Sequence, residues 1–409
     1  MFLANLNAWT VIAWMIATAW IAITVVFWRA CRNQSLLKPI EQSWKRDAAP
    51  RLSVLVAARN ESTCIETCIR SLLGQDYPNL EVVAINDRST DDTAQILDRL
   101  AEEFAGQLRV VHVSSLLAGW FGKPHALNLG LQSATGSVVC FTDADCQFQA
   151  PSALSTAVAE LLRRQLDFFS ITARYSMTSL RESLAVPCCS ELLMTILRPE
   201  RVEDPTWPDA FANGAFILVQ RSTFEQIGGW GAVRNRISED LQMARLAKQS
   251  GLRVAIAQGA GFYQTDSYGT VRDSWNGWSR IFKGTLTPAQ LSIALFRMTF
   301  LFVVPLVSTV LGLFVAFRTG SFDGLTQGAG LALAIAYGLR CVLDVKMFRL
   351  VGATILATPL APLGRLFVMA CALRALLSHA GLVHTHWRGA NFSAGNLVIL
   401  PTPSEPQIR

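Results

Sequence analysis

Three acidic clusters in this chain each stand directly behind an apolar run. Arg59-Asn60-Glu61 follows Arg51–Ala58 (RLSVLVAA), and Asn86-Asp87-Arg88-Ser89-Thr90-Asp91-Asp92 follows Leu80–Ile85 (LEVVAI). Asp143-Ala144-Asp145 follows Ser137–Thr142 (SVVCFT). Carboxylates gathered in one crevice repel one another, so the cluster costs free energy unless a cation or hydrogen-bond donors offset it. Two hard carboxylates one residue apart suit a divalent ion such as Mg²⁺ or Mn²⁺, with phosphate oxygens and water completing its shell. Taken singly, each has a plainer reading: Ser89–Asp92 as a helix N-cap with first-turn acids, Asp143–Asp145 as a turn. Their recurrence behind consecutive apolar runs is what points to one shared site. A fourth pair, Ser238-Glu239-Asp240, precedes an amphipathic stretch through Leu241, Ala244 and Ala247. Either Ser238 is an N-cap backed by two dipole-complementing acids, or the helix N-terminus keeps Asp240 ionised as a general base.

The elements that must position these residues alternate. Arg51–Ala58, Leu80–Ile85, Leu108–Val113 and Ser137–Thr142 read as strands; Glu61–Gly74, Asp91–Phe104 and Pro124–Ser133 read as helices. Strands alternating with helices predict an α/β layer structure with a mostly parallel sheet, and continuously apolar strands predict a sheet covered on both faces. Ligands of such sheets bind beyond the carboxyl ends of the strands, where the acids stand.

The charge distribution sets the surroundings. Of 409 residues 16% are charged, with a net charge of +6, against about 25% charged in soluble domains. Residues 1–28 carry no charge, residues 47–290 carry 22 bases and 26 acids, and residues 291–409 carry nine bases and three acids. The basic excess thus lies in the most apolar part of the chain, which argues against a nucleic-acid partner. Asn7–Trp28 is 22 uncharged residues, about 33 Å as a helix and enough to span the hydrocarbon core. No basic segment precedes it and no small-residue cleavage site follows, so a retained anchor is expected rather than a signal peptide. Arg29, Arg32, Lys38, Lys45 and Arg46 then place the following domain in the cytoplasm by the positive-inside rule.

Met298–Phe317, Gly324–Leu339 and Val351–Leu377 are further apolar runs, the last broken by Pro359, Pro362 and Gly364. Four crossings leave the tail outside; a re-entrant last segment, which the Pro/Gly break favours, leaves it inside. The expected organisation is an anchor at 1–28, a basic linker at 29–50, a catalytic domain at 51–285, about three membrane segments at 286–378 and a tail at 379–409. The nine cysteines read as reduced, packed thiols.

Together, Val54–Asn60, Asn86–Asp92, Asp143-x-Asp145 and Ser238-Glu239-Asp240 resemble a family 2 inverting glycosyltransferase with a GT-A (Rossmann-like) fold. Trp120-Phe121-Gly122-Lys123-Pro124 resembles its W-x-G-K segment. Phe211-Ala212-Asn213-Gly214-Ala215 and Gly228-Gly229-Trp230 resemble acceptor-side segments of membrane lipid glycosyltransferases, and Trp387-Arg388-Gly389 resembles the start of a W-[KR]-G-R-x-Y tail. The set looks most like the hopene-associated and carotenoid-type enzymes, with ceramide glucosyltransferases more distant.

The resemblance implies that Ala58, Arg59 and Glu61 line the nucleotide pocket and that Asp87 contacts uracil. Asp143 approaches the ribose and diphosphate, Asp145 holds the metal with Asp143, and Lys123 is a point charge near the diphosphate. Asp240, beside Glu239, takes the proton from the acceptor hydroxyl. Asn213 and Gly214 fall on the acceptor side. It further implies a UDP-sugar donor and a lipid acceptor of hopanoid, carotenoid, ceramide or diacylglycerol type, with an integral protein of the cell inner membrane whose catalytic domain is cytoplasmic.

Two departures matter. The Q/R-x-x-R-W motif of processive synthases is absent from Arg272–Arg280, which argues against polymerisation, and Ala390 and Phe392 replace the second Arg and the Tyr of the tail motif. Trp275, Trp278 and Arg280 belong either to the acceptor side or to an amphipathic helix at the membrane surface. A processive polysaccharide synthase and a non-catalytic nucleotide-sugar-binding component are the rival readings. His125 reads as structural, and His379, His384 and His386 as interfacial polar residues.

Overall fold

The computed structural model describes residues 8–40, 44–259, 261–307, 314, 317–318, 329–383, 385–387, 390–393 and 396–398. Helix α1 (Ala8–Asn33) runs past Trp28 through Arg29 and Arg32 and is followed by the two-residue strand β1 (Ser35–Leu36). Then come β2 (Leu52–Ala58), α2 (Ile65–Leu73), β3 (Leu80–Asp87), α3 (Thr93–Glu103), β4 (Leu108–Val113), α4 (Gly122–Ser133) and β5 (Val138–Asp143), in the predicted alternation. Helix α3 starts two residues later than its pattern implies. Asp91 stays outside it, its carboxylate accepting from Thr93 N (3.1 Å), Thr93 Oγ1 (2.6 Å) and Ser62 N (3.1 Å).

The chain continues with β6 (Cys146–Phe148), α5 (Ala153–Arg163), β7 (Phe168–Thr172), β8 (Arg174–Ser176), α6 (Leu180–Leu197), β9 (Phe216–Gln220), α7 (Arg221–Gln226), α8 (Glu239–Gln249), β10 (Val254–Gln258) and β11 (Tyr263–Asp266). Helices α9 (Val271–Thr285), α10 (Pro288–Met298), α11 (Ala329–Val351) and α12 (Ala361–His379) precede three short strands, β12 (Thr385–Trp387), β13 (Ala390–Ser393) and β14 (Asn396–Val398).

Eight strands form one sheet in the order β1-β10-β7-β9-β5-β2-β3-β4. Neighbours are parallel except where β9 pairs antiparallel with β5 and β7. Alternation along each central strand divides its apolar side chains between two cores. Leu52, Val54, Val56, Val82, Ala84 and Cys140 face one, with residues of α2, α3 and α5; Leu55, Val83, Ile85, Val139 and Phe141 face the other, with α4 and α8. Burial on both faces explains why these strands read as unbroken apolar runs. A second sheet, β6-β11-β8, sits beside the first.

A third core joins this domain to the helices behind it. α6 and α9 contribute Val186, Cys189, Trp278 and Phe282, and α10, α11 and α12 contribute Leu291, Phe348 and Val368. A capping box starts α6, Ser179 taking the Glu182 N–H while Glu182 bonds back, and another, Thr287 with Gln290, starts α10. Thr10–Asn33, Pro288–Val307 and Ile355–His379 are long and apolar enough to cross a membrane. The run expected at Val351–Leu377 divides at Gly352: α11 ends before it and a 3₁₀ turn (Ile355–Leu360) leads into α12. Residues 308–313 and 315–316 of Met298–Phe317, the start of Gly324–Leu339, and His384, Arg388 and Gly389 lie outside the described residues. All nine cysteines are free thiols.

Candidate active site

Ala58, Asp87 and Asp143 end three neighbouring parallel strands. The register sets Ala57 against Asp143 on one side of β2 and Ala58 against Asn86 on the other. A cleft of 640 Å³ lies on these ends, lined by Ala58, Arg59, Glu61, Asp87, Lys123, Asp143, Asp145 and Glu239. Asp87 is 4% exposed, and Arg88 grips its carboxylate through Nε (2.7 Å) and Nη2 (3.1 Å).

The two acids of Asp143-x-Asp145 meet different partners. Asp143 pairs with the Lys123 ammonium. Asp145 accepts from Thr265 Oγ1 at 3.2 Å. Burial, then the Asp143 and Glu61 carboxylates, push the Asp145 carboxyl up to about 7. A divalent cation relieves both causes, so the donor set fits a hard metal ion. Among the described residues no group of three His, Cys, Asp or Glu side chains could hold a metal ion. Asp143 and Asp145 therefore leave most of such an ion's shell to a substrate diphosphate and water.

Lys123 sits one residue inside α4, whose entry is fixed where Phe121 N donates to Arg234 O at 2.7 Å. Its ammonium also lies 3.4 Å from Glu239 Oε1. Burial works against this charge, but Asp143 and Glu239 outweigh it and hold the group protonated well above the usual lysine range. One cation thus links the strand-end acids to the start of α8.

Ser238 occupies the N-cap position of α8 without capping it. Its backbone is left-handed (φ 56°, ψ 59°), and its hydroxyl lies 3.3 Å from Thr285 Oγ1. The plain capping reading therefore does not describe this turn. Asp240 accepts from Leu241 N (2.8 Å) and Gly214 N (2.9 Å). A Cβ on Gly214 would stand 2.9 Å from Asp240 Oδ2, so this close approach requires glycine. Asn213 anchors the loop: its Nδ2 donates to Ile171 O (3.3 Å) and Tyr263 Oη (3.2 Å), and its N–H donates to Ser170 Oγ (2.8 Å). Burial, then Glu239, raise the Asp240 carboxyl to about 6, with Lys123 opposing.

Asp240 faces a second cavity, of 330 Å³, which shares Lys123, Asp143, Asp145 and Glu239 with the first. Its far wall is apolar: Val186, Leu193 and Met194 of α6, Ile281 of α9, Leu350 and Val351 of α11. Asn213, Gly214, Trp278 and Arg280 also line it. Trp275 lines neither cavity; it packs edge-on to Phe367 at 6.1 Å, with the Arg374 guanidinium 5.5 Å from its ring. His125 is 2% exposed and packs against Trp120 at 5.7 Å, and burial lowers its pKa.

Asp266 and Tyr268 line both cavities and were not anticipated. The rule that found Asp143, an acid closing an apolar strand, does not reach Asp266, because β11 reads Tyr-Gln-Thr-Asp and carries no apolar run.

Residues 53–228 match the model of glycosyl transferase family 2, and residues 205–358 match that of glycosyl transferase family group 2. The chain is 30% identical over 206 residues to the beta-monoglucosyldiacylglycerol synthase of Trichormus variabilis, covering 49% of this chain and 42% of that protein. It is 25% identical over 232 residues to the 4,4'-diaponeurosporenoate glycosyltransferase of Staphylococcus aureus, covering 55% and 59%. The matched part thus spans about two-fifths to three-fifths of these relatives. The fold matches a mannosyltransferase of Pyrobaculum calidifontis, solved with GDP-Man and Mn²⁺, at a TM-score of 0.52 and 21% identity over 90% of this chain and 99% of that one.

Proposed function

We propose that this chain, which belongs to glycosyl transferase family 2, moves one sugar from a UDP-sugar to the hydroxyl of a lipid, with inversion, at the cytoplasmic leaflet of the inner membrane. The observation that carries the reading is the meeting of two unlike cavities at one set of carboxylates. The 640 Å³ cleft lies on the strand ends and is ringed by charged side chains; the 330 Å³ cavity runs from Asp240 to an apolar wall of α6 and α11. The first suits a nucleotide diphosphate and the second a lipid alcohol. Relatives named for a diacylglycerol and a carotenoid acid support a lipid acceptor. The apolar stretches Thr10–Asn33, Pro288–Val307 and Ile355–His379 support membrane anchoring. Anchoring solves an access problem, because an acceptor dissolved in the bilayer does not diffuse to a water-borne site.

In this reading Ala58, Arg59, Glu61 and Asp87 hold the nucleotide, and Lys123 sets a positive charge beside the diphosphate. Asp145 and Asp143 would hold Mg²⁺ or Mn²⁺, which when bound neutralises charge on the departing diphosphate. Asn213 and Gly214 orient Asp240, with Trp278 and Arg280 on the acceptor wall. Asp240 takes the proton of the acceptor hydroxyl as its oxygen bonds to the anomeric carbon, and UDP departs with the electron pair of the broken bond. Glu239 keeps Lys123 in place between the two halves.

UDP release from UDP-sugar and membrane lipid is the test. Asp145→Ala and Asp240→Ala should both abolish it; full activity in both variants overturns the assignment, and a long polymer as product refutes the single transfer.

A further inference from the structure

Resting on the lipid-acceptor reading above, we propose that the acceptor's apolar body reaches Asp240 through a passage that winds around α6 and opens sideways to the bilayer between α1 and α10. A further space lies directly behind the apolar wall of the cavity at Asp240. Met194 and Leu350 also border a second space of 350 Å³, whose other side is α1. Ile23 and Thr195 in turn border a third space, of 250 Å³, among α1, α6, α10 and α12. Along α6 the lining moves from Leu193 through Met194 and Thr195 to Ile196. Consecutive residues point about 100° apart on a helix, so the three spaces occupy successive faces of α6.

The passage also changes depth. On α1 its wall runs from Cys31, near the basic end, to Trp20, a descent of about 16 Å along a helix. Two wall residues are at the same time lipid-facing: Val26 is 51% exposed and Ile293 58% exposed. The two acids in the wall, Glu191 and Glu200, are already paired: Glu191 binds the Arg340 guanidinium at 2.6 and 2.5 Å, and Glu200 binds Arg198 Nε at 3.1 Å. A mostly apolar, laterally open, descending channel whose two carboxylates are paired with arginines is complementary to a lipid chain.

The test uses the full chain in nanodiscs and a long-chain diacylglycerol carrying a diazirine near the end of one acyl chain. Photolabel is expected on Ile23, Thr195 and Ile196; label confined to outward residues such as Phe296 overturns the passage. Thr195→Trp, at an exposed position, should cut transfer to the long-chain diacylglycerol about tenfold, the contact of roughly two methylenes. Transfer to a water-soluble short-chain diacylglycerol should stay unchanged; equal loss with both acceptors overturns the passage. Transfer without passage labelling sinks the passage alone, whereas passage labelling without transfer sinks the reaction reading alone.

Discussion

Asp240 is held by the N–H groups of Gly214 and Leu241, and burial with Glu239 raises its carboxyl to about 6. Only the ionised form accepts a proton, so kcat should fall as pH drops through that region. Lys123 stabilises the ionised form; its removal in Lys123→Met must raise the pKa, and the acidic limb of the kcat profile should move to higher pH. An unmoved limb would show that another group titrates. Asp240→Asn keeps the shape and removes the base, so kcat should fall by about 10²–10⁴ while UDP-sugar binding, measured by calorimetry, persists. The acids of these sites were legible because each belongs to a local pattern: Glu61, Asp87, Asp143 and Asp145 follow apolar runs, and Glu239 and Asp240 open an amphipathic helix. Asp266 and Tyr268 were not. Pairing of β11 with β6 and β8 brings them in, and the bond from Thr265 to Asp145 joins residues 120 apart in the chain. No local window contains that relation.

The turn into α8 shows why an element can be read correctly and its start misread. The helix was legible from its 3.6-residue period, but its N-cap is a left-handed Ser238 whose hydroxyl serves Thr285 instead of the helix. That turn rests on α9: a Cβ on Gly284 would stand 2.4 Å from Ile237 Cγ2 and 2.5 Å from Ser238 Oγ. Gly284→Ala should therefore push the turn and with it Glu239 and Asp240, at about 1–3 kcal/mol of stability. The expected outcome is a lowered Tm together with a kcat loss larger than any change in UDP-sugar affinity. An unchanged kcat would mean that α9 does not set the position of the base. The central strands β2, β3 and β5 were legible for the opposite reason, since burial on both faces writes itself as a continuous apolar run. β6, β8 and β11 span three or four residues each, too few for a period to show.

At the scale of the molecule, the catalytic domain and the apolar helices are joined through charges that the sequence shows only as interruptions. Arg340 and Arg365 break apolar runs in the sequence. In the structure Arg340 binds Glu191 of α6 and, at 2.6 Å, Asp344 of its own helix; Arg365 of α12 also binds Asp344. Arg340, Asp344 and Arg365 are each at most 6% exposed. The basic excess of the C-terminal third is thus partly internal, pinning α11 and α12 to α6, while the catalytic domain stays slightly acidic. Burying three such charges against a half-buried Glu191 does not in itself stabilise a fold, because desolvation opposes their attraction; removing one partner leaves the others uncompensated. Asp344→Ala strips Arg365 of its carboxylate and leaves Arg340 with Glu191 alone. A loss of about 3–5 kcal/mol is expected, read as a drop in thermal unfolding temperature in detergent. Replacing all four residues by apolar side chains of similar volume should restore most of it, since no charge is then left buried. If Asp344→Ala unfolds at the wild-type temperature, the network is not what holds the two parts together.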